Sequence, residues 1–121
     1  MLTQCSGGKG GWSNLFNRKN FDGWTIRGGG ASYEIKDGAI VGINSPGHNT
    51  FLSIWDLYSD FELEFDVKLN DPMNSGVQIR SKARWKTEGQ KSIERVFSPQ
   101  VEIEQSPRES GYVYGERPVV G

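Results

Sequence analysis

With 121 residues, 14 basic and 15 acidic side chains and a formal net charge of −1, the chain is long enough for one core and carries no field that would steer a polyanion, so nucleic acid is not an expected partner. Sixteen glycines, five prolines, four tryptophans, four tyrosines and six phenylalanines describe a loop-rich β protein, while one cysteine and one histidine exclude an internal disulfide and any zinc site built on a histidine cluster. No apolar run approaches the ~20 residues of a membrane span, and no charged start leads into an apolar stretch of signal-peptide length.

Residues 1–11 are predicted as a flexible tether ahead of a single domain over 12–121. Within them Leu2-Thr3-Gln4-Cys5, followed by SGGKGG, has the outline of a bacterial lipoprotein signal, although Gln4 stands where a small residue is usual. Cys5 is thus either a lipidation site or an incidental thiol on a loose terminus. Ordered structure is expected from WSNLF, where Trp12, Leu15 and Phe16 can dock on a core. NRKNFDGW supplies turn residues before Trp24. Gly28-Gly29-Gly30 reads as a loop, because neither the rest of a phosphate-binding pattern nor a helix follows it. In YEIKDGAIVG two apolar runs flank Asp37-Gly38, the strongest hairpin signal in the chain. His48, in SPGHNT, sits between turn formers, a position open either to acid–base work over a site or to an ordinary surface role. Residues 54–58 could form a helical turn.

FELEFDVKL, residues 61–69, places Phe61, Leu63, Phe65, Val67 and Leu69 on one face of a strand and Glu62, Glu64, Asp66 and Lys68 on the other. A turn at NDPMN then leads to SGVQIRS, expected to pair antiparallel with the preceding strand. There Val77 and Ile79 point to the core, and Gln78 and Arg80 to the opposite face. PQVEIEQ, residues 99–105, repeats the arrangement: Val101 and Ile103 inward, Gln100, Glu102 and Glu104 outward. Two strands therefore offer polar groups of the same kind. Tyr112 and Tyr114 in GYVYGE could stack on a sugar, donate a phenolic proton or pack at a sheet edge; Trp55 and Trp85 could form a stacking platform, with core or rim packing the leading expectation. Short strands separated by turn signals at roughly 8–12 residue intervals predict an all-β antiparallel sandwich.

Taken in order, LFNRKNFDGW, GGGASYEIKDGAIVG, NTFL, YSDFELEFDVKL, NSGVQIRS, QVEIEQSP and GYVYGE resemble the bacterial 3-keto-disaccharide hydrolase family, formerly a domain of unknown function. The resemblance covers nearly the whole chain from Trp12. It implies a concanavalin A-like, jelly-roll β-sandwich with a carbohydrate site on the concave face of one sheet. It also implies export in most relatives, which would make the natural precursor a secreted, periplasmic or cell-surface lipoprotein. Members continue past the tyrosine-glycine motif with further strands, so the chain is expected to be a truncated, N-terminal part of the domain, with open strand edges through which it could self-associate.

The family's chemistry starts from a ketone at C3 of the sugar, which acidifies the C2 proton. A base removes that proton, the enolate expels the group on C1, and water adds to the unsaturated sugar. Such a site needs a base, a donor for the enolate oxygen and polar groups for hydroxyls. From alternation and the family motif, Glu102 is the candidate base, Arg80 the enolate stabiliser, and Gln78 and Gln100 the hydroxyl binders; His48 is a second acid–base candidate, and Tyr112 and Tyr114 are substrate-binding candidates. No cofactor is implied, and a carboxylate-bound divalent metal stays open. The rival readings are a carbohydrate-binding module, which needs no base, and an inactive domain fragment.

Overall fold

A computed structural model describes residues 3–7, 11–70, 74–105 and 110–115. Among them the secondary structure is entirely β: β1 (Thr3–Gly7), β2 (Trp12–Asn14), β3 (Trp24–Gly28), β4 (Ser32–Lys36), β5 (Ala39–Ile43), β6 (Thr50–Ile54), β7 (Phe61–Phe65), β8 (Asn74–Gln78), β9 (Lys82–Glu88), β10 (Lys91–Phe97), β11 (Pro99–Glu104) and β12 (Val113–Gly115). Every strand pair is antiparallel, in accord with the all-β antiparallel class expected of a sandwich. The chain groups into two compact units, Met1–Lys68 and Leu69–Gly121, each described by itself.

In the first unit the strands form the sheets β2-β1-β7, β3-β6 and β4-β5. The β4–β5 hairpin follows directly from its sequence. Lys36 faces Ala39, which leaves a two-residue turn in which Asp37 and Gly38 have φ of 51° and 72°. Both values are left-handed, as a type I′ turn requires, and Asp and Gly tolerate them better than most residues. Along β4, Tyr33 and Ile35 are half-buried while Ser32, Glu34 and Lys36 are exposed, the period of two that a one-sided strand imposes. Before β3, Asn17 Oδ1 accepts from the backbone N–H groups of Lys19 at 2.8 Å and Asn20 at 2.9 Å. The side chain thus builds the turn that NRKN announced. It delivers Phe16, only 4% exposed, against Phe21 with ring centroids 6.4 Å apart, and Trp24 Nε1 donates to the Leu15 carbonyl at 3.0 Å. Gly28 ends β3, paired with Thr50, and Gly29 N–H donates to the Asn49 carbonyl at 2.9 Å, so of the triple glycine read as a loop the first residue is strand and the other two are bends.

Several expectations are corrected in this unit. Thr3–Gly7, inside the segment read as a tether, is a strand: its backbone pairs with β2 on one side and, residue for residue from Thr3↔Phe65 to Gly7↔Phe61, with β7 on the other. Among the described residues β7 pairs with β1, and β8 with β11, where an antiparallel pair of β7 with β8 was expected. The strand expected over 61–69 stops at Phe65, and Val67 is 50% exposed. Residues 54–58 hold the end of β6 and bends rather than a helical turn. Trp55 is exposed rather than packed, its indole N–H held by Thr25 Oγ1 at 2.6 Å.

In the second unit β9 and β10 form a seven-residue ladder closed by Gly89-Gln90, and β12-β11-β8 form a sheet. Val96 and Ser98 are its most buried described side chains, Ser81 Oγ donating to Ser98 Oγ at 3.2 Å. Arg84 stacks over Phe97, 5.5 Å from the ring centroid. Trp85 is 69% exposed and, like Trp55, is no part of a core. The turn expected over 70–74 falls mainly outside the described residues.

Candidate active site

The β8–β11 register puts Gln78 opposite Gln100, Gly76 opposite Glu102 and Asn74 opposite Glu104, with the pairs Val77–Val101 and Ser75–Ile103 between them. Because side chains alternate across a strand, the first three pairs share one face. On that face two amides donate to one carboxylate and a third approaches the first of them. Gln100 Nε2 donates to Glu102 Oε1 at 2.8 Å, Asn74 Nδ2 donates to Glu102 Oε2 at 2.5 Å, and Gln78 Nε2 approaches Gln100 Oε1 at 3.5 Å, the outer limit for such a bond. Gln78 Oε1 is shielded from solvent. The Glu102 side chain is half-buried.

The Glu102 backbone is held as firmly as its side chain. Its N–H donates to the Tyr112 carbonyl at 2.9 Å and its carbonyl accepts from Gly111 N–H at 2.8 Å. Gly111 has φ of 90°, a value that suits glycine and brings residues 111–112 back alongside β11. Ser110 closes the same return: its Oγ accepts from Glu104 N–H at 2.9 Å and donates to the Glu104 carbonyl. The carboxylate is thus bonded at both oxygens, and the backbone that carries it at both of its polar groups. Each oxygen retains a lone pair beyond the one the amides use, so the group can still accept a proton.

The structure thus brings Gln78, Gln100 and Glu102 together and sets the Tyr112 backbone beside them. The Tyr112 side chain is 64% exposed. Tyr114 faces Gln100 in the β11–β12 register, and its side chain lies outside the described residues. Arg80 is a different case. β8 ends at Gln78 and Arg80 has φ of 53°, so the alternation that would align it with Gln78 is broken before it is reached. Arg80 instead lies exposed on the connection to β9. His48 belongs to the first unit, half-buried on the bend before β6. Asn74 and Gly76 were missed from sequence, although counting back in twos from Gln78 would have placed both on its face.

The pattern of motifs that carries this ladder is matched by a family model, the 3-keto-alpha-glucoside-1,2-lyase-like domain, over residues 11–120. The chain belongs to this 3-keto-disaccharide hydrolase family. No curated protein and no solved structure matches it. In this family member, among the described residues, no three His, Cys, Asp or Glu side chains gather in a way that could hold a metal ion, and the Glu102 carboxylate is bonded by the amides of Gln100 and Asn74.

Proposed function

We propose that the polar face of the β8–β11 ladder cleaves 3-keto-glycosides by elimination, with Glu102 as the base. The C3 ketone acidifies the C2–H bond; Glu102 takes that proton, and the bonding pair becomes the enolate. Collapse of the enolate forms the C1–C2 double bond and expels the C1 substituent, whose oxygen takes a proton from solvent. Addition of water at C1 then gives the hydrolysed sugar, and release before that addition gives the lyase product. Arg80, exposed just beyond the end of β8, is the candidate partner for the enolate oxygen, and Gln78 and Tyr112 are the candidates for sugar hydroxyls and ring.

One observation carries this reading: a single carboxylate held by Gln100 and Asn74 at both oxygens in a chain of this family. General bases in enzymes need such orientation because proton transfer depends on a fixed approach to the C–H bond. Export and lipidation at Cys5 belong to the same proposal and rest on the LTQC run and the resemblance alone, as self-association rests on the general tendency of open strand edges to pair.

The reading is tested by offering the protein a 3-keto-disaccharide and its unoxidised parent. Turnover of the keto sugar alone is expected, with a primary isotope effect when C2 carries deuterium. Binding of both sugars without turnover of either would instead favour the carbohydrate-binding module.

A further inference from the structure

We propose that Gly76 is a positioning residue for Glu102, acting through Gln100: its missing side chain is the space in which the Gln100 amide lies to reach the carboxylate. The inference rests on the reading of Glu102 as the base.

Gly76 sits inside β8, where glycine is ordinarily unfavourable. Its backbone does not explain it, since Gly76 is absent from the glycines with left-handed φ. Its surroundings do. A Cβ there would stand 2.5 Å from Gln100 Cγ, 2.6 Å from Cδ and 2.7 Å from Nε2, distances no real Cβ sustains. Gln100 therefore crosses the ladder diagonally over Gly76, and on that path its Nε2 comes within 2.8 Å of an oxygen of Glu102, the residue facing Gly76 in register. The same path leaves Gln100 Oε1 toward Gln78.

The obstruction at Gly76 is the middle and end of a flexible side chain, so alanine is accommodated by moving Gln100 and the strand persists. Gly29 is the contrast. A Cβ there would run into the His48 carbonyl and stand 2.8 Å from Thr50 Oγ1, and backbone cannot step aside. Gly76→Ala thus displaces a positioning contact with little effect on folding, whereas Gly29→Ala disturbs the fold.

The test combines kinetics on a 3-keto-disaccharide with NMR of the Gln100 side-chain amide. Gly76→Ala is expected to lower kcat about ten- to a hundredfold with KM changed by less than about twofold, because the base is misplaced rather than the sugar unbound. Gln100→Ala is expected to lower kcat comparably, and adding Gly76→Ala to it to cost nothing more, since the group that collided is gone. The Gln100 amide protons are expected to shift in Gly76→Ala and in Glu102→Gln alike. Additive losses in the double variant, or a Gln100 amide signal unmoved by Gly76→Ala, overturn the inference. If that signal shifts in both variants while Glu102→Gln keeps full turnover, the Gly76–Gln100–Glu102 contact stands and the base assignment is what falls.

Discussion

Asn74 Nδ2 donates to Glu102 Oε2 across the β8–β11 pair, although Asn74 faces Glu104 in the register and Glu102 faces Gly76. The contact is diagonal, a reach of one step of two along β8. It occupies the oxygen that Gln100 leaves open. Asn74→Ala should therefore loosen the carboxylate and lower kcat by on the order of tenfold, hydrogen bonds to charged groups being worth about 1.5–3 kcal/mol when shielded and less when exposed. Asn74→Asp keeps the shape but replaces the donor by a like charge, so a larger loss is expected. Steady-state kinetics on a 3-keto-disaccharide read both; Asn74→Asp performing as well as the wild type would remove Asn74 from the site.

What could be read from sequence was what depends on near neighbours. The Asp37-Gly38 turn needs two residues that accept positive φ between two apolar runs, and the sequence supplies both within four positions. Gln78, Gln100 and Glu102 were legible because period-two alternation carries a face along a strand. Arg80 was not, because the left-handed turn that ends the alternation is set by the connection to β9 and leaves no signature in an arginine. Nor was the partner of β7: TQCSG in β1 has no apolar alternation, and its pairing is supplied by a strand more than fifty residues away. Gly76 was visible as a glycine, but the reason for it, the Gln100 side chain, lies on another strand.

Gly38→Ala isolates the turn chemistry of the hairpin. A Cβ at Gly38 would come no nearer than 3.7 Å to Arg18, so space is not the obstacle; the φ of 72° is. The left-handed penalty predicts a loss of about 1–2 kcal/mol, read as a lowered melting temperature. A melting temperature equal to that of the wild type would mean that the turn changes type at no cost.

Phe16 is the most buried apolar side chain described in the first unit, with Phe21 against it. Phe16→Ala should cost about 3–5 kcal/mol, the range for removing a buried aromatic ring. Chemical denaturation measures it, and a loss below about 1 kcal/mol would place Phe16 outside any core that matters to stability.

Tyr33 makes stability fall at high pH. Its hydroxyl donates to the Thr50 carbonyl at 3.2 Å, and burial raises its pKa above the ordinary value of 10.0 by disfavouring the phenolate. The folded chain thus keeps a proton that the unfolded chain releases above about pH 10, and stability declines with pH in that region. The contribution is intact below the unfolded value and is lost as pH rises through the folded one. Tyr33→Phe should remove this part of the slope while lowering stability at neutral pH by about 1 kcal/mol for the lost hydrogen bond. Denaturation at neutral and alkaline pH checks both; an unchanged alkaline slope would contradict the assignment.

The central claim is that Glu102 takes the C2 proton, and Glu102→Gln under single-turnover conditions with a 3-keto-disaccharide tests it most directly. The amide keeps the length of the side chain and can still meet Gln100 and Asn74 by reorienting, but it has no basic lone pair. Loss of a general base typically costs 10²–10⁴ in rate, so the single-turnover rate should fall by that factor while sugar binding persists. A Glu102→Gln rate equal to that of the wild type would contradict the account and leave Glu102 as an ordinary polar residue on a strand.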